Sequence, residues 1–225
     1  MGKQNKNTTD KTVDMLVDDL TPARPLLPLW CRGLAWLTAT LIFTGWIVLD
    51  AGLRYDLNAK LASAGFVFMA VLLLLATLAL GVAALWLAVP RLAVSIKVKA
   101  ALWTGFGAFF AMVGLYMFEM FRAGSLSGLM STVAHPAQFN CLTDVLLLVT
   151  APLVLIFILL KKGAPTHARL AALSAGAAAG FAALLASLLM CSNDHAQHLL
   201  EAHFMPVLVL SVVAAFAGRA LLRWS

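Results

Sequence analysis

Charged residues are scarce in this chain. Lysine, arginine, aspartate and glutamate make up 12% of the 225 residues, whereas 62% are hydrophobic. A soluble globular domain is about half apolar and roughly a quarter charged, so the composition excludes an ordinary soluble domain. The net charge of +6 is spread over loops and helix ends. Because it forms no continuous basic patch, we expect no direct contact with nucleic acid.

The chain also lacks the short motifs that support catalysis. It contains no Cys-x-x-Cys pair, no His-Glu-x-x-His motif and no glycine-rich phosphate loop. The interiors of its apolar stretches contain almost no ionisable side chains, which inside a membrane usually mark an ion or proton pathway. These absences argue against an ion-coupled transporter, and we predict no enzymatic activity.

What the chain has instead is six apolar stretches that are each long enough to cross a bilayer. A hydrocarbon core of about 30 Å requires ~20 residues in an α-helix. The stretches are Gly33–Leu49, Ala64–Val89, Ala100–Phe118, Leu142–Leu160, Leu170–Met190 and Phe204–Leu222. We predict an all-α integral membrane protein whose six-helix transmembrane domain covers residues 31–225.

The basic residues predict the orientation of this domain. If the N-terminus is cytoplasmic, only Arg54, Lys60 and Arg122 of the 16 lysines and arginines lie on the outer side. This distribution obeys the positive-inside rule. With an even number of crossings, both termini are predicted to be cytoplasmic. The basic side chains at the helix ends would also contact anionic membrane lipid.

Residues 1–30 form a polar N-terminal segment that is too short for a core of its own. Within it, the stretch from Thr9 to Leu20 predicts an amphipathic helix that ends at Thr21-Pro22. Its apolar stripe consists of Val13, Leu16, Val17 and Leu20. Aspartates such as Asp14 flank the stripe, and the anionic cytoplasmic leaflet would repel them. Two interpretations stay open: the helix docks into a groove of a basic protein partner, or the segment is mostly disordered and folds onto the chain's own loops.

The three cysteines fall on two sides of the predicted membrane. Cys31 lies at the cytoplasmic entrance to the first stretch, whereas Cys141 opens the fourth and Cys191 closes the fifth. The fourth and fifth stretches form a hairpin, and both thiols lie at a similar distance from its turn. Since adjacent helix axes lie 8–10 Å apart, we predict that Cys141 and Cys191 come close together. The pair is either a structural disulfide or a redox- or metal-responsive pair.

Histidines accompany this pair on the outer side. If the helix continues past Cys191, His195 and His198 follow at i+4 and i+7 and share its face. Mixed thiol and imidazole ligands suit zinc, copper or cadmium. The candidate metal ligands are therefore Cys141, Cys191, His195 and His198. A solvated loop residue stays the alternative interpretation of each histidine alone. No cofactor is required on this interpretation, but a regulatory ion such as zinc or cadmium is possible.

Both ends of the chain resemble a known family. The stretch from Asp14 to Leu27 and the ending from Ala217 to Trp224 resemble the corresponding motifs of the NrsF-like anti-sigma factors. The six-span layout and the two cysteines at 141 and 191 also match.

The resemblance implies a function. Such proteins hold an extracytoplasmic-function sigma factor at the bacterial inner membrane through their cytoplasmic N-terminal segment. They release it when the periplasmic side senses stress such as heavy metal, and the two cysteines are needed for this response. The implied sensing pair is Cys141 and Cys191. The candidate partner-binding residues are Val13, Asp14, Leu16, Val17, Leu20, Pro22, Arg24 and Pro25.

A second class of function uses the same side chains. A membrane thiol oxidoreductase or a metal transporter would also need cysteines and histidines on one side of the membrane. An oxidoreductase of this kind is expected to contain a Cys-x-x-Cys pair, and a transporter is expected to place polar groups at mid-depth. The sequence contains neither feature.

Overall fold

The computed structural model describes Lys11, Met15 and residues 26–90, 94–122 and 136–222. Lys11 and Met15 are both helical and exposed. The remainder of the predicted amphipathic helix, and all of the candidate partner-binding residues, lie outside the described residues. Within the described ranges the fold is all-helical.

Seven helices make up the described part of the chain. They are α1 (Leu29–Ala51), α2 (Leu57–Leu61), α3 (Ala64–Leu87), α4 (Ile96–Arg122), α5 (Pro136–Lys161), α6 (Ala168–Met190) and α7 (Ala196–Leu221). Apart from the short α2, all of them are long and apolar enough to cross a membrane. This confirms the predicted helical fold with six long apolar helices.

The helices extend beyond the apolar stretches that predicted them. The third apolar stretch covers Ala100–Phe118, whereas the helix that contains it, α4, runs from Ile96 to Arg122. The sixth stretch begins at Phe204, whereas α7 begins at Ala196. Hydropathy marks only the part of a helix that is suited to the bilayer core, whereas the backbone hydrogen bonds continue into polar turns at each end.

Helix α6 lies at the centre of the bundle. Its alanines and glycines are almost all buried, from Ala171 to Ser187. Small side chains let neighbouring backbones approach closely. A Cβ atom at Gly176 would lie 2.9 Å from the Cα of Ser211 on α7, and one at Gly180 would overlap Val207. The two glycines therefore allow α6 and α7 to pack closely.

Large apolar side chains cover the outside of the bundle. Trp46, Trp103, Phe110 and Phe216 are each at least 64% exposed. An exposed apolar surface of this kind promotes aggregation in water, but it is the expected surface of a helix in lipid. The fold is compatible with a multi-pass membrane protein.

The bundle has two distinct ends. The cysteine end is the one that contains Arg54, Cys141 and Cys191. The opposite end contains Leu29 at the start of α1 and Lys161 at the close of α5. Helices α1 and α5 connect these two ends and lie against each other.

Candidate functional site

Two free thiols meet at the cysteine end. Cys141 lies near the start of α5, and Cys191 follows directly after the last residue of α6. Their Sγ atoms are 3.8 Å apart. Both side chains are half-buried and neither is in a disulfide. The structure thus brings the two thiols together, as the count of residues along the hairpin predicts.

The chain turns sharply after Cys191. Its backbone is extended, with φ −80° and ψ 123°, and the following residues include Ser192, Asn193 and Asp194, which favour turns. The Asn193 Oδ1 atom accepts a hydrogen bond of 3.1 Å from the backbone N–H of His195. The helix ends at Met190, where the fifth apolar stretch ends. The condition that would place His195 and His198 on the face of Cys191, a helix that continues past this residue, is therefore not met.

This turn changes which histidines reach the thiols. His195 is exposed in the turn and does not join the cluster. His198, in the first turn of α7, is 5% exposed and places its Nε2 atom 3.3 Å from the Sγ of Cys191. Of the two predicted histidine ligands, the structure brings only His198 to the cysteine pair.

His203 is a member of the cluster that the predicted ligand set did not contain. It is 2% exposed, and its Nε2 atom lies 3.3 Å from the Nε2 atom of His198. In a regular α-helix, residues five apart point about 140° away from each other. Residues Leu199–Phe204 form a π-helical segment instead, and its wider turn brings both imidazoles to one side. The sequence carries no clear signal for such a segment, which explains why His203 was missed.

The four side chains converge on one small volume. The Sγ atoms of Cys141 and Cys191 and ring nitrogens of His198 and His203 all lie within 4.8 Å of one another. By contrast, the Nδ1 atoms of the two histidines are buried and have no hydrogen-bond partner within the described part of the chain. Both rings therefore direct Nε2 toward the thiols.

The cluster favours a thiolate at Cys191. A hydrogen bond from the Cys141 thiol lowers the pKa of Cys191, and contacts with His198 and His203 lower it further, although burial opposes both effects. The thiolate is the form of cysteine that attacks electrophiles and binds metals. The cysteine end therefore presents one activated sulfur with a second thiol beside it.

A second polar group fixes the turn that carries Cys191. The side chain of Arg54 is fully buried and donates to Asp56 at 2.6 Å and to Asp194 at 2.8 Å. The backbone N–H of Arg54 donates to the carbonyl of Leu189 at 2.9 Å, and Lys60 forms an ion pair with Asp194. We call Arg54, Asp56, Lys60 and Asp194 the arginine clamp. It ties the α1–α3 connection to the turn between α6 and α7.

The charges of the arginine clamp stabilise one another. The two carboxylates raise the pKa of Arg54, which keeps the guanidinium protonated. Burial alone would raise the pKa of Asp194, but hydrogen bonds from Arg54 and Lys60 outweigh it and lower that pKa. From the sequence, Arg54 and Lys60 are predicted only to be basic residues on the outer side. Their ion pairs were not predicted, because Asp194 is distant along the chain and Asp56 lies in a turn.

These features define a class of protein. It is a bundle of long apolar helices that is compatible with a multi-pass membrane protein. Its cluster of two cysteines and two histidines lies at one end of the bundle. A sequence model of the NrsF family, described as negative regulator of sigma F, matches residues 16–224. The chain therefore belongs to this family, which confirms the resemblance found in its two ends. No curated protein and no solved structure gives a significant match.

Proposed function

We propose that this chain is an anti-sigma factor of the bacterial inner membrane. In this proposal, residues 1–30 hold an extracytoplasmic-function sigma factor on the cytoplasmic side, and a signal at the cysteine end releases it. The family match over residues 16–224 is the observation that carries the proposal. Negative regulation of a sigma factor is a binding function rather than a catalytic one.

The proposed orientation follows from the charges at the opposite end. Lys97, Lys99, Lys161, Lys162 and Arg169 are exposed there. Basic residues beside membrane spans favour the cytoplasmic side. The same end carries Leu29, to which the N-terminal segment is joined. The cysteine end would then face the periplasm.

The N-terminal segment supplies only part of the binding energy. Burial of the four aliphatic side chains in the stripe gives about 6 kcal/mol, and ordering a disordered segment costs ~2–5 kcal/mol. The remainder supports only weak binding. We therefore propose that exposed basic residues at the opposite end, such as Lys97 and Lys99, contribute further contacts to the sigma factor.

We propose that the cysteine pair detects the signal. A two-electron oxidant from outside the membrane would accept two electrons from the thiols, which would lose their two protons and form an S–S bond. This bond would shorten the gap between the two sulfurs from 3.8 Å to about 2.05 Å. Metal ligation would hold the same sulfurs on a common ion. Either event acts on α5 through Cys141 and on the end of α6 through Cys191.

Helix α5 offers a physical connection to the N-terminal segment. It begins near Cys141 and reaches Leu159 at the opposite end, where the Leu159 carbonyl accepts a hydrogen bond of 2.7 Å from Arg32. Trp36 donates to the carbonyl of Pro152 at 3.0 Å. Arg32 and Trp36 lie in the first turns of α1, directly after the segment. A shift of α5 would therefore move the first turns of α1, to which the N-terminal segment is attached.

Copurification tests this proposal. Tagged full-length protein, extracted from its own membranes in mild detergent, should capture a sigma factor. The variant with Leu16→Asp and Leu20→Asp should lose it, because charge replaces the apolar stripe, whereas Lys11→Gln should retain it as a matched control. Failure to capture a sigma factor, or equal capture by the aspartate variant, would contradict the proposal. Capture of a quinone-linked redox partner instead would favour the thiol oxidoreductase.

A further inference from the structure

We infer that Cys141, Cys191, His198 and His203 form a closed, four-ligand site for a divalent zinc-class ion, namely Zn²⁺ or Cd²⁺. The inference deepens the proposed function, because it names the ligand of the cysteine end. Metal binding can nevertheless be measured without any sigma factor, so the two proposals fail separately.

The distances between the donor atoms fit tetrahedral zinc. With Zn–S bonds of about 2.3 Å and Zn–N bonds of about 2.0–2.1 Å, tetrahedral geometry requires about 3.8 Å between two sulfurs and about 3.3 Å between two nitrogens. The sulfurs of Cys141 and Cys191 are 3.8 Å apart. The Nε2 atoms of His198 and His203 are 3.3 Å apart. Both distances match those of a shared tetrahedral ion, and the sulfurs lie well beyond the S–S bond length of about 2.05 Å. All four donor atoms lie within 4.8 Å of one another.

The orientation of the histidines supports the same conclusion. Nε2 of His198 contacts both the Cys191 sulfur and Nε2 of His203, while both Nδ1 atoms have no hydrogen-bond partner among the described residues. A ring nitrogen has either one proton to donate or one lone pair to accept with, so Nε2 of His198 cannot make a full hydrogen bond to the sulfur and to the second Nε2 at once. A shared ion between these atoms explains the arrangement.

The backbone of α7 is adapted to this geometry. The π-helical segment Leu199–Phe204 lies between the two histidines and brings His203 toward His198. Such segments within helices occur frequently at functional sites. The site therefore joins α5 through Cys141, the turn through Cys191 and α7 through both histidines.

The chemistry of the donors selects the ion. Two thiolates and two neutral imidazoles suit zinc-class ions, whereas calcium and magnesium require oxygen ligands. Four protein ligands leave no open position, which is typical of structural rather than catalytic zinc. Binding replaces water ligands of the ion with two metal–sulfur and two metal–nitrogen bonds, and any cysteine that is still a thiol releases its proton to solvent. The complex of M²⁺ with two thiolates is neutral, which suits a half-buried site.

Bound metal and disulfide formation exclude each other. Sulfurs held about 3.8 Å apart on one ion cannot approach to the S–S bond length of about 2.05 Å. Metal should therefore protect Cys141 and Cys191 from oxidation.

The test uses purified full-length protein in detergent with Cys31→Ser, so that the third thiol does not contribute. Titration with Co²⁺, a visible probe of zinc sites, should give intense tetrahedral bands that saturate at one ion per chain and disappear on addition of Zn²⁺. His198→Ala and His203→Ala should each weaken binding at least about tenfold, because even residues that only orient a ligand contribute 10–100-fold.

His195→Ala is the matched control, since this neighbouring histidine is exposed and outside the cluster. It should bind as tightly as the parent. Each alanine variant should elute from size exclusion as the parent does, which separates loss of a ligand from misfolding. Unchanged affinity in both histidine-to-alanine variants, or an equal loss in His195→Ala, would overturn the inference.

Discussion

The two ends of the bundle differ in how their polar groups are used. At the cysteine end, Arg54 and Asp194 are paired with each other, and the thiols and imidazoles contact one another. At the opposite end, basic side chains such as Lys97 and Lys162 are exposed. Groups that are paired with one another hold a fixed geometry, whereas exposed charges are available to a partner. This difference is the reason that we propose detection at the cysteine end and binding at the opposite end.

The largest effect is expected from the cysteine pair, which tests whether the cysteine end detects the signal. Cys141→Ser with Cys191→Ser should abolish induction of a sigma-dependent reporter by external Cd²⁺ or oxidant, because neither a metal nor a disulfide can then join α5 to the end of α6. Cys31→Ser is the control and should leave induction intact, since Cys31 lies on α1 at the opposite end. Normal induction in the double variant would remove the cysteine end from the mechanism.

The arginine clamp provides the next largest effect. Arg54→Met leaves the carboxylates of Asp56 and Asp194 without their shared cation. Breaking a fully buried ion pair costs 3–5 kcal/mol. Since Asp194 is 37% exposed, we expect a loss of about 2 kcal/mol, measured as a lower melting temperature of the purified protein. Arg122→Met, which removes an exposed arginine beside Phe118, should leave the melting temperature nearly unchanged. Equal melting temperatures for Arg54→Met and the parent would contradict the clamp.

The connection between the ends should give a smaller effect. Arg32→Met removes one side-chain hydrogen bond, to the Leu159 carbonyl, whereas Arg54→Met removes several bonds to two carboxylates. We expect the sigma factor still to be captured, but the reporter to respond less to a signal at the cysteine end. Arg122→Met, which changes an exposed arginine away from the opposite end, is the control. A full response in Arg32→Met would show that α5 does not couple to α1 through this bond.

The smallest effect concerns the reactivity of Cys191. Its lowered pKa means that the thiolate persists at low pH and disappears only as pH falls through that folded-state pKa. In the Cys31→Ser protein, alkylation of Cys191 should therefore change little between about pH 8 and about pH 6, where an ordinary thiol of pKa ~8.5 slows nearly tenfold per pH unit. Peptide mass spectrometry would quantify the label. A tenfold decrease per pH unit would mean that Cys191 is an ordinary thiol.

Hydropathy was sufficient to predict the six long helices, because each contains an apolar run of the length that a bilayer crossing requires. It also predicted the meeting of Cys141 and Cys191, since both lie at comparable positions on one hairpin. The sequence could not predict that His203, and not His195, joins His198 and the two cysteines in the cluster. Which histidine joins the cluster depends on where α6 ends and on a π-helical segment, and both are set by how the chain reverses direction. The clamp was missed because Asp194 reaches Arg54 from 140 residues away.

The central claim is that the cysteine end and the opposite end face different compartments. Site-directed labelling tests it directly, with single cysteines introduced at two exposed positions, Ser192→Cys and Lys162→Cys, in a chain whose native cysteines are serine. A membrane-impermeant maleimide applied to intact spheroplasts should label Ser192→Cys but not Lys162→Cys, and both should be labelled after the membrane is permeabilised. Labelling of Lys162→Cys in intact spheroplasts, with Ser192→Cys protected, would contradict the account.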